Sequence, residues 1–326
     1  MSGRRPLATA LKFAAACTLA AAASLATAQD DRSPIRLLVG LAPGGANDIA
    51  ARIVADKLKD TLGRPVIVES KLGAGQRVAL AELRRSAPDG RTLMLATNSP
   101  FTIYPHIYLK LDYDPVKDFS PIAGVMSFDM GVATGPKTQS PDFRHWVAWA
   151  QANPQAAAYG TPGAGTLPHF LGVALAQAIG VEMPQVPYKG GAPAMTDLAG
   201  GQLPLLINGL SDMLEMHRAG KIRVVAVTGE RRSADLPDVP TLKELGVPVS
   251  SVVTVGIFGP AGMAPELVNR LNAAINQAVS AADVRERFAR YGLVPAPARP
   301  QELAATLAAE SKRLEALVKL SGMVPE

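Results

Sequence analysis

The sequence predicts an α/β fold in two lobes with a cleft between them, and three observations carry that prediction. From Ser33 onward, short apolar runs alternate with helical periodicity, the pattern of strands joined by crossover helices in a parallel sheet. The alternation restarts after Pro121, as a second lobe of the same kind would require. A β-branched run, Val252 to Phe258, then returns the chain toward the first lobe. Lobes joined by crossing strands suit a hinge that closes on a ligand.

Ile35 to Leu41 reads as the first strand, Pro43-Gly44-Gly45 turns the chain, and Ile49, Ile53, Val54, Leu58 and Leu62 recur at helical spacing. Gly63 and Pro65 stop that helix. Val66 to Val68 is the next strand, Ala79 to Leu83 lies in a helix, and Pro88-Asp89-Gly90 turns into a strand from Thr92 to Ala96. Ile122 to Met126 and Met130 to Ala133 cross to the second lobe. There a helix from Phe143 to Gln151 precedes a strand from Ala156 to Tyr159, a glycine-rich turn through Thr166 and a helix through Gly172. Strands at Gln185 to Val186, Leu205 to Asn208 and Ile222 to Val227 alternate with helices at Pro193 to Leu198 and Met213 to Arg218. After the returning strand, Leu267, Leu271, Ile275 and Val279 mark an amphipathic helix, and Leu303 to Leu320 is the last one. The expected lobes are residues 29–133 with 254–326, and residues 134–253.

Composition narrows the function. The chain has 326 residues with 33 Lys or Arg against 28 Asp or Glu, a formal charge of +5. Residues 1–28 hold Arg4, Arg5 and Lys12 and no acid, so the remainder carries only +2. Charged residues at 19% and aromatics at 5% argue against the basic, aromatic-laced surface that binds nucleic acid. A hydrophobic share of 48% excludes intrinsic disorder. The basic start, the apolar stretch from Leu7 to Ala26 and the small residues Ala26-Thr27-Ala28 form an export signal, with cleavage expected after Ala28. Arg4-Arg5 leaves both the general secretory and the twin-arginine route open. Cys17, the sole cysteine, lies inside that segment, so the mature chain has no disulfide or thiolate chemistry. No later apolar stretch is long enough to span a membrane, and the expected location in a bacterium is the periplasm.

Two loops carry the recognisable chemistry. Pro43, Gly44, Gly45, Ala46, Asn47 and Asp48 sit at the carboxyl end of a strand and open a helix, where free N–H groups suit a carboxylate or phosphate. Asn47 or Asp48 can equally cap the helix. Gly163, Ala164, Gly165, Thr166, Leu167, Pro168 and His169 repeat the arrangement in the second lobe. Neither this loop nor Gly73-Ala74-Gly75 completes a dinucleotide fingerprint, and no Gly-Lys-Ser/Thr follows, so no cofactor is expected. The four histidines, His106, His145, His169 and His217, contain no i, i+4 metal pair, and no Gly-x-Ser-x-Gly elbow is present. His169 reads as a structural residue or pocket wall rather than a base.

These segments resemble the Bug-type receptors of tripartite tricarboxylate transporters. The likeness runs from Pro43 to Asp48 with Ala51-Arg52, through Gly63-Arg64-Pro65-Val66, Gly73-Ala74-Gly75, Ala87-Pro88-Asp89-Gly90 with Thr92-Leu93, and Tyr113-Asp114-Pro115 with Asp118-Phe119. It continues through Val186-Pro187-Tyr188-Lys189-Gly190, Leu198 to Gln202, and Leu236-Pro237-Asp238-Val239-Pro240-Thr241, and spans essentially Pro34 to the C-terminus. The resemblance implies a two-domain periplasmic-binding-protein fold of type II-like form. It further implies a receptor, not an enzyme, which closes on a small organic acid and presents it to a membrane permease, acting as a monomer. It places the ligand on the two facing loops and adds Asn98, Ser99, Asn208 and Asp212 to the cleft. Departures from the family pattern are Gln76-Arg77 for glycine and asparagine, Arg91 for tyrosine, Pro168 for a small polar residue, Asn208-Gly209 for Asp-Asn, and Thr254 for tryptophan. If Thr254 faces the cleft, the pocket is larger than usual. Two competing functions share the cleft: an exported hydrolase or isomerase using His169 with Asp48 or Asp212, and a sensory partner of a membrane receptor.

Overall fold

Strand β1 (Ile35–Val39) runs parallel to β2 (Val66–Ser70) on one side and to β3 (Thr92–Thr97) on the other in the computed structural model, which describes residues 33–325. The export signal, its cleavage point after Ala28 and Cys17 lie outside the described residues. Helix α1 (Ala46–Leu62) links β1 to β2 and buries Ile53, Val54 and Leu58, each fully buried aliphatic side chain contributing about 1.5–3 kcal/mol. It ends at Gly63 in the left-handed conformation, φ 65°, which an L side chain resists. A short 3₁₀ turn (Ala74–Gln76) and α2 (Arg77–Arg84) lead to β3.

Two short helices, α3 (Ser99–Thr102) and α4 (Tyr104–Ile107), follow β3; each has Pro in its first turn. The periodicity of the sequence is too short there to announce them. Where the sequence suggests two crossing runs, one strand of 16 residues, β4 (Phe119–Thr134), contains both. The chain continues through α5 (Phe143–Ala152), β5 (Tyr159–Thr161), α6 (Leu167–Ile179), β6 (Gln185–Pro187), α7 (Gly191–Ala199), β7 (Leu205–Gly209), α8 (Leu210–Arg218) and β8 (Arg223–Val227). The strand expected from Ala156 begins only at Tyr159, because the N–H groups of Ala156 and Ala157 close a turn on the Asn153 carbonyl. The chain returns through β9 (Val252–Pro260), then α9 (Pro265–Ser280), α10 (Ala282–Ala289), β10 (Val294–Ala298) and α11 (Pro300–Leu320).

The sheet path is β2-β1-β3-β9-β4-β7-β5-β6, with β8 and β10 also on β4. The expectation of a parallel sheet holds for β1 with β2 and β3 and for β5 with β6 and β7, but not at the crossing. There β9 is antiparallel to both β3 and β4, and β7, β8 and β10 are antiparallel to β4. An apolar run signals a buried strand without signalling its direction. The first part of β4 is kinked by register shifts near Pro121 and Gly124, and its far end shifts again between Val132 and Ala133. The main hydrophobic cluster passes from Leu37 and Val54 through Val125 and Val255 to Ile207 and Leu175, with smaller clusters around Leu206 and Met213 and around Met94 and Phe258.

Candidate functional site

The carboxyl ends of β1, β3, β5 and β7 meet at a cavity of about 310 Å³. Strand ends of an α/β sheet are where ligands collect, because loops diverge there and helix N-termini point inward. Gly45, Ala46 and Asn47 from the start of α1, Thr166, Leu167 and Pro168 from α6, Gly191 from α7, and Ser211 and Asp212 from α8 all contribute walls. Leu41, Phe128, Met130, Pro162 and Val253 supply the apolar part. A larger apolar groove beside α11 lacks this convergence of strand ends.

Gly45 forms the N-cap of α1 in extended conformation and offers no side-chain cap. The N–H groups of Ala46, Asn47 and Asp48 find no protein acceptor among the described residues. The Asn47 side chain is 8% exposed, and its Oδ1 is buried with no hydrogen-bond partner. Asp48 is turned away from ligand duty: Arg52 binds it at 2.9 and 3.0 Å and the Gly44 N–H donates to it at 3.0 Å. The bond from Arg52, helped by that from Gly44, holds its carboxyl below the usual range against the opposing effect of burial. Asp48 therefore fixes the shape of the loop.

The loop after β5 is held by one carbonyl. Gly163 O accepts from Thr166 Oγ1 at 2.7 Å, Thr161 Oγ1 at 3.0 Å and Gln185 Nε2 at 3.2 Å. Thr166 and Leu167 keep N–H groups without protein acceptors among the described residues, while Pro168 has none to give. His169 is tied inward: its Nδ1 accepts from Gly165 N–H at 3.3 Å, its ring stacks on Phe170, and burial pushes its pKa down. At the end of β7, Asn208 Nδ2 donates to Asp212 Oδ2 at 3.2 Å. Asp212 is reached by water through the cleft mouth, yet protein crowds its carboxyl and desolvation pushes its pKa up, with the Asn208 bond acting the other way.

Of the residues singled out in the sequence, Gly45, Asn47, Ser99, Thr166, Asn208 and Asp212 line this cavity. Pro43, Gly44, Asp48, Gly163, Ala164, Gly165 and His169 shape the loops behind it; Gly44 faces the adjoining mouth with Arg218 and Arg290. Asn98 points its amide at Glu310 of α11, 2.6 Å away. Val253 lines the cavity and Thr254 does not, since neighbours on a strand face opposite ways. Sequence reasoning missed Thr97, Phe128, Met130, Gly191 and Val253. Only Gly191, directly after the Tyr188-Lys189-Gly190 segment, carried a visible signal.

A sequence profile described as the tripartite tricarboxylate transporter family receptor matches residues 50–323. The chain belongs to the tripartite tricarboxylate transporter receptor family. It is 34% identical over 330 residues to a UPF0065 protein from the gbd 5′ region of Cupriavidus necator, covering 99% of each chain. Among solved structures, the periplasmic binding protein BugD matches at TM-score 0.77 and 28% identity, covering 89% of this chain and 98% of BugD. Rpa4515 of R. palustris with adipate matches at TM-score 0.83 and 26% identity, covering 91% and 100%. MatC of Rhodopseudomonas palustris with bound malate matches at TM-score 0.75 and 27% identity, covering 87% and 98%. As a tripartite tricarboxylate transporter receptor, the chain has the two-domain periplasmic-binding-protein fold.

Proposed function

We propose that this chain is a periplasmic receptor that closes residues 29–133 with 254–326 against residues 134–253 around one small organic carboxylate. It then delivers that ligand to the membrane permease of a tripartite tricarboxylate transporter. One observation carries the ligand class: helices α1, α6, α7 and α8 present their N-termini to a cavity whose walls include no Lys or Arg. Each such terminus favours an anion by about 0.3–1 kcal/mol, and free N–H groups supply the directional bonds. The adipate and malate of the two R. palustris relatives are ligands of that chemistry. The apolar walls suit a short carbon chain between polar ends.

Ligand binding favours whichever lobe arrangement gives these amides their partner, so closure follows from differential affinity. The reading of His169 as a base gains no support, since its Nδ1 is occupied by Gly165 and Asp48 by Arg52. The test is a panel of mono-, di- and tricarboxylates measured by thermal shift and titration calorimetry on the mature protein. A one-to-one complex with ligand recovered unaltered is expected. No binding across the panel, or turnover of the ligand, overturns the proposal.

A further inference from the structure

Thr97, at the end of β3, lines the cavity, and Gln76 controls how its hydroxyl behaves. The Thr97 N–H donates to Gln76 Oε1 at 3.3 Å, which fixes the orientation of the amide. Its other end, Nε2, then donates to Thr97 Oγ1 at 2.6 Å. The hydroxyl has one proton and has already accepted a hydrogen bond. Among the described residues no protein group takes that proton.

We propose that Gln76 is a specificity-determining positioning residue that sets Thr97 as a hydrogen-bond donor toward the ligand, selecting an acceptor such as a carboxylate oxygen at that wall. Accepting from Nε2 also polarises the hydroxyl and strengthens the bond it donates.

The way Gln76 is held supports a dedicated role. It is 3% exposed and adopts φ +79°, a left-handed conformation that a glutamine enters only at a cost. The three residues before it, Gly73, Ala74 and Gly75, also have positive φ. The surroundings enforce the geometry. A Cβ on Gly40 would come within 2.7 Å of Gln76 Cβ, and one on Gly75 would overlap the Tyr104 hydroxyl.

The proposal rests on the carboxylate reading of the cavity, and the experiment separates the two. Wild type is first titrated with succinate, malate, adipate and citrate, and the tightest of these becomes the probe. Thr97→Val should weaken it about tenfold or more, the loss of one hydrogen bond to a charged acceptor, while Thr97→Ser retains most of the affinity. Gln76→Glu keeps the shape but lets a carboxylate accept the Thr97 proton and adds a negative charge that repels the probe, so it should weaken the probe at least as much as Thr97→Val does. In the Thr97→Val background, Gln76→Glu should cost less than in wild type, the remainder being that repulsion alone. Gln76→Gly, which relieves the positive φ, should give an intermediate loss in a protein that still melts cooperatively. Equal losses from Gln76→Glu in both backgrounds, or no loss in either, overturn the assignment while the receptor reading stands. Failure of wild type to bind all four acids overturns both.

Discussion

Gly191→Ala tests whether the cavity is the binding site. An added Cβ would lie 2.6 Å from Asn208 Nδ2 and 2.9 Å from Oδ1, where ordinary contact begins near 3.4 Å, so the amide must retreat by about 0.8 Å. Asn208 is 3% exposed and has little room. Its bond to Asp212, already 3.2 Å, is lost, at about 1.5–3 kcal/mol for a bond to a charged acceptor. Replacing glycine by alanine in a helix returns roughly 0.5–1 kcal/mol, leaving a net destabilisation of about 0.5–2.5 kcal/mol by these two terms. Binding should suffer more visibly. A polar wall displaced beyond roughly 0.5 Å no longer meets its ligand group, and one such bond is worth roughly 10- to 150-fold in Kd. Calorimetry with the carboxylate that wild type binds, alongside a thermal melt, reads both quantities. A variant with unchanged affinity would refute the placement of the ligand beside Gly191 and Asn208.

Other consequences can be measured in parallel. Asp212 has its pKa raised by desolvation, so wild-type affinity for a carboxylate with no hydroxyl or amino group, such as adipate, should rise as pH falls and Asp212 takes up its proton. In Asp212→Asn that pH dependence should flatten; a profile unchanged by the substitution would refute the assignment of the effect to Asp212. Glu310, 8% exposed and bonded to Asn98 and Arg313, is also held above its usual range by burial. Its native form binds more protons than the unfolded chain between the ordinary and the raised pKa, so stability falls as pH rises through that window. Glu310→Gln should therefore lose less Tm than wild type over the same pH interval in a melting series. Gly172 packs on the buried Tyr159 ring, which a Cβ would overlap; Gly172→Ala should cost about 1–3 kcal/mol in denaturant unfolding.

The sequence was most informative where loop chemistry and periodicity coincide. Pro43-Gly44-Gly45 before the Ile49 to Leu62 pattern, and Gly163 to Thr166 before the helix bearing His169, gave two of the strand-to-helix junctions at the cavity. What escaped has physical causes. The antiparallel crossing of β4 and β9 was hidden because Ile122 to Met126 and Val252 to Phe258 have no polarity in their composition. Thr254 stands out in the sequence only through the resemblance, where tryptophan is usual, whereas the adjacent Val253 lines the cavity because neighbours on a strand face opposite ways. Asp48 and Asp212 are alike in sequence, each in the first turn of a helix; only the Arg52 partner, one turn on, separates them. Phe128 and Met130 are apolar residues on a central strand and read as core. Gln76 stands out in the sequence only as a departure from the glycine of the resemblance, since nothing in a glutamine itself announces a positive φ.

The order in which the chain meets its partners follows from the crossing. Strand β3, buried at all six positions, lies between β1 and β9, and Thr97 must wait for Val255 to be paired. Strands β5 to β7 find their neighbours within a short stretch of chain. Closing the longer loop carries the larger entropic cost, and distant pairings form late. A polypeptide threaded across a membrane from its N-terminus would thus carry an apolar, half-partnered β3 edge until the last third emerged, the interval in which aggregation or a holding chaperone competes with folding. Pulse-labelled hydrogen exchange during refolding should find amides of β5 to β7 protected before those of β3, and simultaneous protection would contradict that order.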